Sequence, residues 1–450
     1  MPARGRRYKW SNVVMADARQ VPVQPAAASS AGMQPTHVRH VVLGVTVAVY
    51  MITYMDRSLM STALPAIRSD LGISLLTASS FITAFRLSYS LFQIPGAWLG
   101  DKIGPRRALT LIVGWWSAFT ALTGLAWNAT VMYWTQFLFG MGEAGAFPIA
   151  TRSLSRWMLP RERGYAQGVT HAGSRLGAAF TRPLAAGMIV AFGWRMPFFA
   201  FAGLGLLWAV LWFVYYRDTP DEHRGVNAAE RELIQAGTGV RRATGTGKVP
   251  WRQILSSPTM QWLCVMYVCY QYGLAVYLDW FPTYLKEQRG MTLTQMGWYS
   301  SLPLLAGVVG NLAGGWLTDL LFHRTGNVTR ARRLVGMGGF LLAGAAIVPA
   351  TLLADPKLCV AFSCVAFGAL EMTIGASWAI PLDIGGDYAG SAAALMNTCG
   401  NLGGAISPTV IAYLVTKFGW NVPFMVGVGM NVLAAVIWSR IDASKKIATA

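Results

Sequence analysis

The chain has 450 residues, of which 54% are hydrophobic and only 12% charged. A soluble globular domain carries about 25% charged residues, so water does not solvate most of this one. The formal net charge of +18 does not indicate a nucleic-acid partner, because no basic–aromatic module accompanies it and the bases lie in short gaps between apolar runs, where membrane topology places them.

Residues 1–39 form an Arg-, Ala- and Pro-rich tail without an apolar core. It does not read as a signal peptide and is expected to be a disordered cytoplasmic tail. A membrane span needs about 20 mostly apolar residues, and twelve such segments follow. Six lie near 40–64, 78–100, 108–127, 131–153, 166–192 and 197–216, and make an N-terminal six-helix bundle over 40–216. The polar stretch 217–260 is read as a cytoplasmic linker, with a short amphipathic helix expected around 228–235. Six more spans lie near 261–284, 298–322, 334–353, 358–379, 389–415 and 423–441, a C-terminal bundle over 261–441, followed by a cytoplasmic tail, 442–450. The expected fold is an all-α membrane protein, twelve transmembrane helices in two six-helix bundles.

The loops set the orientation. Loop 2–3 carries Lys102, Arg106 and Arg107; loop 4–5 carries Arg156, Arg161 and Arg163; loop 8–9 carries Arg324, Arg330, Arg332 and Arg333. Loop 3–4 has no base and loop 9–10 only Lys357. Both termini are therefore expected in the cytoplasm. Loop 10–11 departs from the pattern, with Asp383 and Asp387 and no base.

The two halves repeat one another. Gly96-Ala-Trp-Leu-Gly-Asp101, followed by Gly104, Arg106 and Arg107, returns as Gly314-Gly-Trp-Leu-Thr-Asp319 with its own basic run. Phe139-Gly-Met-Gly-Glu143 returns as Phe367-Gly-Ala-Leu-Glu371. Gly173-Ser-Arg-Leu-Gly177 with Pro183 returns, less closely, as Gly400-Asn-Leu-Gly403 with Pro408. Parallel repeats of this size belong to two-bundle secondary transporters. Asp101 and Asp319, with the neighbouring glycines and bases, read as a latch at the cytoplasmic mouth; the alternative is a topology signal alone.

Ionisable residues inside spans are costly and face a cavity or a partner. Asp56 and Arg57 are adjacent in span 1. Either they form a pair that fixes helix packing, or Asp56 carries a proton beside a guanidinium that binds substrate. Glu143 has no base within a helical turn; it is either a second proton site or a neutral acid bonded to a neighbouring helix. Arg86, Tyr89 and Gln93 share one face of span 2, and His171, Arg175 and Arg182 one face of span 5. Several arginines around a cavity favour an anionic solute, with Arg86 and Arg175 as possible contacts and Arg182 either a contact or a salt-bridge partner. Asn397 and Asn401 on span 11 offer neutral hydrogen bonds, unless glycine packing explains that helix. Asp279 reads as interfacial, and Glu371 as a relic of duplication or a second functional acid. The five cysteines lie inside apolar runs without metal-ligand spacing, so neither metal nor cofactor is expected.

These residues resemble the major facilitator superfamily over about 40–441. Within it, Tyr54-Met-Asp-Arg57, Tyr89…Gln93-Ile-Pro-Gly96, Gly142-Glu-Ala-Gly-Ala-Phe-Pro148 and Trp280-Phe-Pro-Thr-Tyr284-Leu are similar to the anion:cation symporter family, which includes bacterial galactonate, hexuronate and glucarate permeases and is related to vesicular glutamate transporters. The resemblance implies proton-coupled uptake of a small organic anion, a sugar acid or uronate. It carries proton coupling to Asp56 and Glu143 and substrate-carboxylate binding to Arg57, with Tyr54, Tyr89 and Asn397 lining the site. Members commonly have an arginine seven residues before the span-4 glutamate; here the residue is Gln136, and Arg86 or Arg175 is expected to supply the missing cation. Arg182 precedes Pro183 where a small or apolar residue is expected. The implied protein is a monomer in the bacterial inner membrane, with H+ as coupling ion. The alternative is a proton-antiporting efflux permease of the same fold for a drug or metabolite. An enzyme is disfavoured, since no nucleophile has a base at useful spacing and no Gly-rich loop cradles phosphate.

Overall fold

The computed structural model describes residues 34–159, 162–238, 250–385 and 389–447. Most of the N-terminal tail lies outside them, as do Arg161, Arg241, Arg242, Lys248 and Asp387. The described residues are helical and contain no strand. α1 (Val38–Leu71) is span 1 and ends at Gly72, whose φ of 61° lets its N–H return to the Arg68 carbonyl. It starts inside the tail expected to end at 39, because the Glu230 carboxylate accepts from the Val38 and Arg39 N–H groups and so caps it. α2 (Leu75–Gly124) joins spans 2 and 3 through Gly104, at φ 81°, ψ 155°. That backbone suits only glycine, and a Cβ there would lie 2.7 Å from the Asp218 carboxylate.

Span 4 is broken into α3 (Ala129–Glu143) and α4 (Ala146–Trp157), followed by α5 (Arg163–Phe192) and α6 (Met196–Tyr215). The linker carries α7 (Ala228–Thr238) and α8 (Trp251–Ser256). Span 7 comprises α9 (Pro258–Ala275), a π-helical turn Val276–Trp280 and α10 (Phe281–Glu287). α9 starts before the expected linker end at 260, since Pro258 suits the first helical turn. The last five spans are α11 (Leu293–Thr325), α12 (Val328–Leu352), α13 (Pro356–Gly385), α14 (Ala389–Phe418) and α15 (Asn421–Trp438).

Among the described residues six helices, α1, α6, α11, α12, α13 and α15, are individually long and apolar enough to cross a membrane. For three other spans the shortfall has a visible cause. α5 carries His171, Arg175 and Arg182, while spans 4 and 7 are interrupted by the break after Glu143 and by the π turn. Exposed Leu207, Val210, Val309 and Leu312 lie on outer faces while Glu143, Arg182 and Glu371 are buried. This is the polarity expected of helices solvated by lipid.

The repeated glycines mark helix crossings. A Cβ on Gly96 would lie 2.6 Å from Gly145 Cα, where span 2 crosses span 4, and one on Gly314 would lie 2.0 Å from the Met372 carbonyl, where span 8 crosses span 10. Small residues permit this approach in the absence of a hydrophobic drive between helices. Gly315 has nothing within 4 Å of its Cβ position. Gly314→Ala should therefore cost about 1–3 kcal/mol of stability, while Gly315→Ala should leave the melting temperature in detergent unchanged; equal melting of both variants would refute the crossing argument.

The halves meet through α1 against α10, α2 against α14 and α5 against α11. At the end of the molecule away from the termini, Arg68 pairs with Glu287, Thr83 bonds Thr409 at 2.8 Å, and a Cβ on Gly297 would lie 2.6 Å from Ala186 Cβ. The molecule is closed at that end.

Candidate functional site

Successive residues on a helix project about 100° apart, and this separates Asp56 from Arg57. Arg57 faces α2, α3 and α4, where its Nε donates to Glu143 Oε1 at 2.7 Å. The rings of Tyr89, Tyr54, Phe85 and Phe147 surround its guanidinium, with centroids at 4.4, 5.1, 5.2 and 5.8 Å. Asp56 faces the other way, toward Thr120, Thr123, Gln136, Phe139 and Phe198. Neither of its oxygens accepts a hydrogen bond of ordinary geometry, and the Trp116 indole beside it closes none. Of the two readings of these neighbours, pairing with each other is not what the structure shows: the acid on Arg57 is Glu143, brought by the buried end of α3 from another helix.

A second couple lies across the bundle interface. Arg175 Nη2 is 2.9 Å from Glu371 Oε1, and the same oxygen accepts from the Tyr270 hydroxyl at 2.8 Å. Glu371 is fully buried and pairs with Arg175. The two couples are incomplete in the same way. Glu143 Oε2 and Glu371 Oε2, and one nitrogen of each guanidinium (Arg57 Nη2 and Arg175 Nη1), have no hydrogen-bond partner.

The third couple joins Arg86 Nη2 to Asp279 Oδ2 at 2.6 Å. Asp279 belongs to the π turn and is mostly shielded, which corrects its reading as interfacial. Gln136 donates to Thr123 Oγ1 at 3.1 Å, on the Asp56 side of span 4. Its position is outside the Arg57 cage. Asn397 accepts from Asn401, which accepts from Gln271, at 3.1 and 2.9 Å. That polar chain belongs to the C-terminal bundle and stands apart from the Arg57 cage. His171 is exposed although it stacks over Phe147, with centroids 6.5 Å apart.

Among the described residues no carboxylate pairs with Arg182. Fully buried, it donates to the Tyr277 and Leu278 carbonyls at 2.8 and 3.2 Å, to the Ser300 carbonyl and to Ser58 Oγ at 3.3 Å. The π turn explains why the Tyr277 and Leu278 carbonyls accept: its wider register releases them from helical bonds. Arg182 from the first half thus bolts onto two helices of the second. Arg182→Met should loosen the closed end. In a background without the five native cysteines, a cysteine at Thr83 should then react several-fold faster with an impermeant maleimide; an unchanged rate would remove Arg182 from the closure.

The loop motif pairs only within its own half. Asp101 pairs with Arg152 of α4. Arg106 donates its backbone N–H to Asp218 Oδ1 at 3.1 Å and its Nε to the Phe213 carbonyl at 2.9 Å, and Arg156 reaches Asp218 at 3.5 Å. Arg107 and Asp319 are exposed, and Asp319 makes no ion pair among the described residues. Sequence reasoning missed Arg152 and Asp218; the latter's only signal was an acid directly after span 6. In the second half, Asp383 of loop 10–11 pairs with Arg332 at 3.1 Å, so the acid in that loop has a base from loop 8–9. An apolar groove of about 350 Å³ between α11, α12 and α13, lined by Val309, Leu342, Val365 and Met372, carries no charged side chain and is not the site.

Residues 46–408 match the family model of the Major Facilitator Superfamily. A probable sulfoacetate transporter of Cupriavidus necator is 39% identical over 407 residues, 88% of this chain and 93% of that protein. A probable galactarate/D-glucarate transporter of Escherichia coli is 30% identical over 89% of this chain and 94% of its own length, and a hexuronate transporter of Bacillus subtilis 28% identical over 86% and 90%. A bacterial homologue of the human lysosomal transporter Spinster, solved inward-facing and unoccupied, matches with a TM-score of 0.73 at 17% identity, over 91% of this chain and 97% of that one, a likeness of fold.

Proposed function

The chain belongs to the Major Facilitator Superfamily, a multi-pass membrane transporter rather than an enzyme, and from that premise we propose that it carries a small organic anion together with protons by alternating access. The relatives named for sulfoacetate, galactarate/D-glucarate and hexuronate support a small carboxylate, and the intramembrane arginines suit it. The carrying observation is the bond from Arg57 to Glu143. The cation that would take the solute is already held by an acid. An anion arriving at Arg57 displaces Glu143 and leaves a buried carboxylate unpaired, which is expensive in low dielectric. A proton on Glu143 removes that expense, so anion and proton load together. Tyr54 and Tyr89 line the guanidinium, and Asn397 would close on the solute from the other bundle. Asp56 takes a second proton on the far side of α1, where no guanidinium competes for it.

With both termini in the cytoplasm, as the loop bases require, the closed end is the outer one and this is an inward-facing state. Turning outward breaks the Arg182, Arg68–Glu287 and Thr83–Thr409 contacts and brings the Asp101 and Asp319 loops together. The protein acts as a monomer in the bacterial inner membrane and needs no cofactor beyond its coupling protons. Proteoliposome uptake of labelled sugar acids and simple carboxylates, with and without an inward proton gradient, tests the reading. Stimulation of one acid is expected. Inhibition by the inward gradient would indicate antiport, and counterflow of a neutral or cationic solute without uptake of any acid would overturn the anion assignment.

A further inference from the structure

Resting on the reading of this cavity as an anion site, we infer that the solute carries two acidic groups on a short spacer, one for Arg57 and one for Arg175, so that Arg175 with Glu371 and Tyr270 is a second anion subsite. Arg57 and Arg175 lie against one ring: their guanidinium carbons are 5.1 and 5.4 Å from the Tyr54 centroid. The two cations cannot be farther apart than the sum of those distances. In a charge-assisted pair a carboxylate or sulfonate head sits about 4 Å from the guanidinium carbon. With both heads on the line between the cations, at most about 2.5 Å remains between them, which fits a one-carbon spacer.

The chemistry of the two couples supports the same conclusion. Each arginine is neutralised by one buried glutamate through a single oxygen, at 2.7 Å for Arg57 and 2.9 Å for Arg175. In each, one guanidinium nitrogen and the second carboxylate oxygen are buried and unbonded. A buried N–H without an acceptor is costly, and a planar two-oxygen head satisfies it where a single glutamate oxygen does not. A one-headed acid would complete the Arg57 fork and leave Arg175 Nη1 as it stands. A two-headed acid completes both. The arginines also sit on different parts of the machine: Arg57 and Glu143 belong to one bundle, while Arg175 and Glu371 belong to opposite bundles. Binding at the second subsite therefore acts directly on the bundle interface. Arg86 is held by Asp279 at 2.6 Å and Arg182 by backbone carbonyls, so neither has the same vacancy.

The test compares inhibition of counterflow in proteoliposomes by two-headed probes (sulfoacetate, malonate, succinate) and one-headed probes (acetate, glycolate, gluconate), in the native protein, R175Q and R175Q/E371Q. The double variant leaves no unpaired buried charge, so it carries the comparison if R175Q alone fails to fold. The native protein should prefer two-headed probes by about tenfold or more. Both variants should lose that preference and bind one-headed probes as before, because Arg57 is intact. Preference for sulfoacetate over malonate would assign one subsite to a sulfonate; equal binding would assign both to carboxylates. A one-headed acid binding as tightly as the two-headed ones, or an equal loss for both classes in the variants, overturns the second subsite and leaves the anion reading standing. No binding of any acid by the native protein overturns the anion reading itself.

Discussion

Glu143→Gln leaves the anion exchanging across the bilayer but removes one proton's share of its accumulation against a gradient. The glutamine keeps the size of Glu143 and can still accept from Arg57 Nε, so the cage of Tyr54, Phe85, Tyr89 and Phe147 stays formed. What is lost is the exchange of a proton for a cation. In the native protein an incoming anion takes Arg57 and a proton takes Glu143, and each event makes the other cheaper. In the variant Arg57 is permanently available and no proton is needed at position 143. Each coupled proton is worth about 1.4 kcal/mol per pH unit, or roughly a tenfold gradient of solute. Gradient-driven accumulation in liposomes should therefore fall by about tenfold for a one-unit pH step, with counterflow close to native. Normal pH-driven accumulation by Glu143→Gln would remove Glu143 from the coupling.

Arg57→Ala abolishes binding. Removing one member of a buried charged contact costs about 2–5 kcal/mol of affinity, or roughly 30-fold to several-thousand-fold. It also strands Glu143, fully buried, at about 3–5 kcal/mol of stability, so the single variant alone does not separate lost binding from lost folding. Arg57→Ala combined with Glu143→Gln does. The double variant contains no stranded charge and should recover the native melting temperature in detergent while remaining unable to bind the anion. Native affinity in the double variant would show that Arg57 is a structural partner of Glu143 and no more.

The site shows how far a sequence can be read. Helical periodicity shows which side chains share a face: His171, Arg175 and Arg182 on α5, Arg86 and Tyr89 on α2. It does not show what that face meets. Asp56 and Arg57 are neighbours in the chain and point into different environments, whereas Glu143 lies 86 residues from Arg57 and touches it. Arg175 meets Glu371 and Arg86 meets Asp279 across the two halves, and no local pattern records either. Asp279 looked interfacial because it precedes Trp280-Phe-Pro282, a run suited to a membrane surface. The π turn instead carries its carboxylate inward and exposes the carbonyls that receive Arg182.

Composition, apolar run length and the internal repeat, read from the chain alone, determined an all-helical membrane protein with twelve spans in two related halves. Hydrophobicity acts residue by residue and the bilayer demands a fixed length of it, so that information is local. The repeated glycines were equally legible, though their reason, helices crossing at backbone contact, needed the packed molecule. Which acid neutralises which base, which arginine bolts the halves together and which end is closed were decided by tertiary structure. In low dielectric a charge is stable only beside its partner, and the partners come from helices that the chain order keeps far apart.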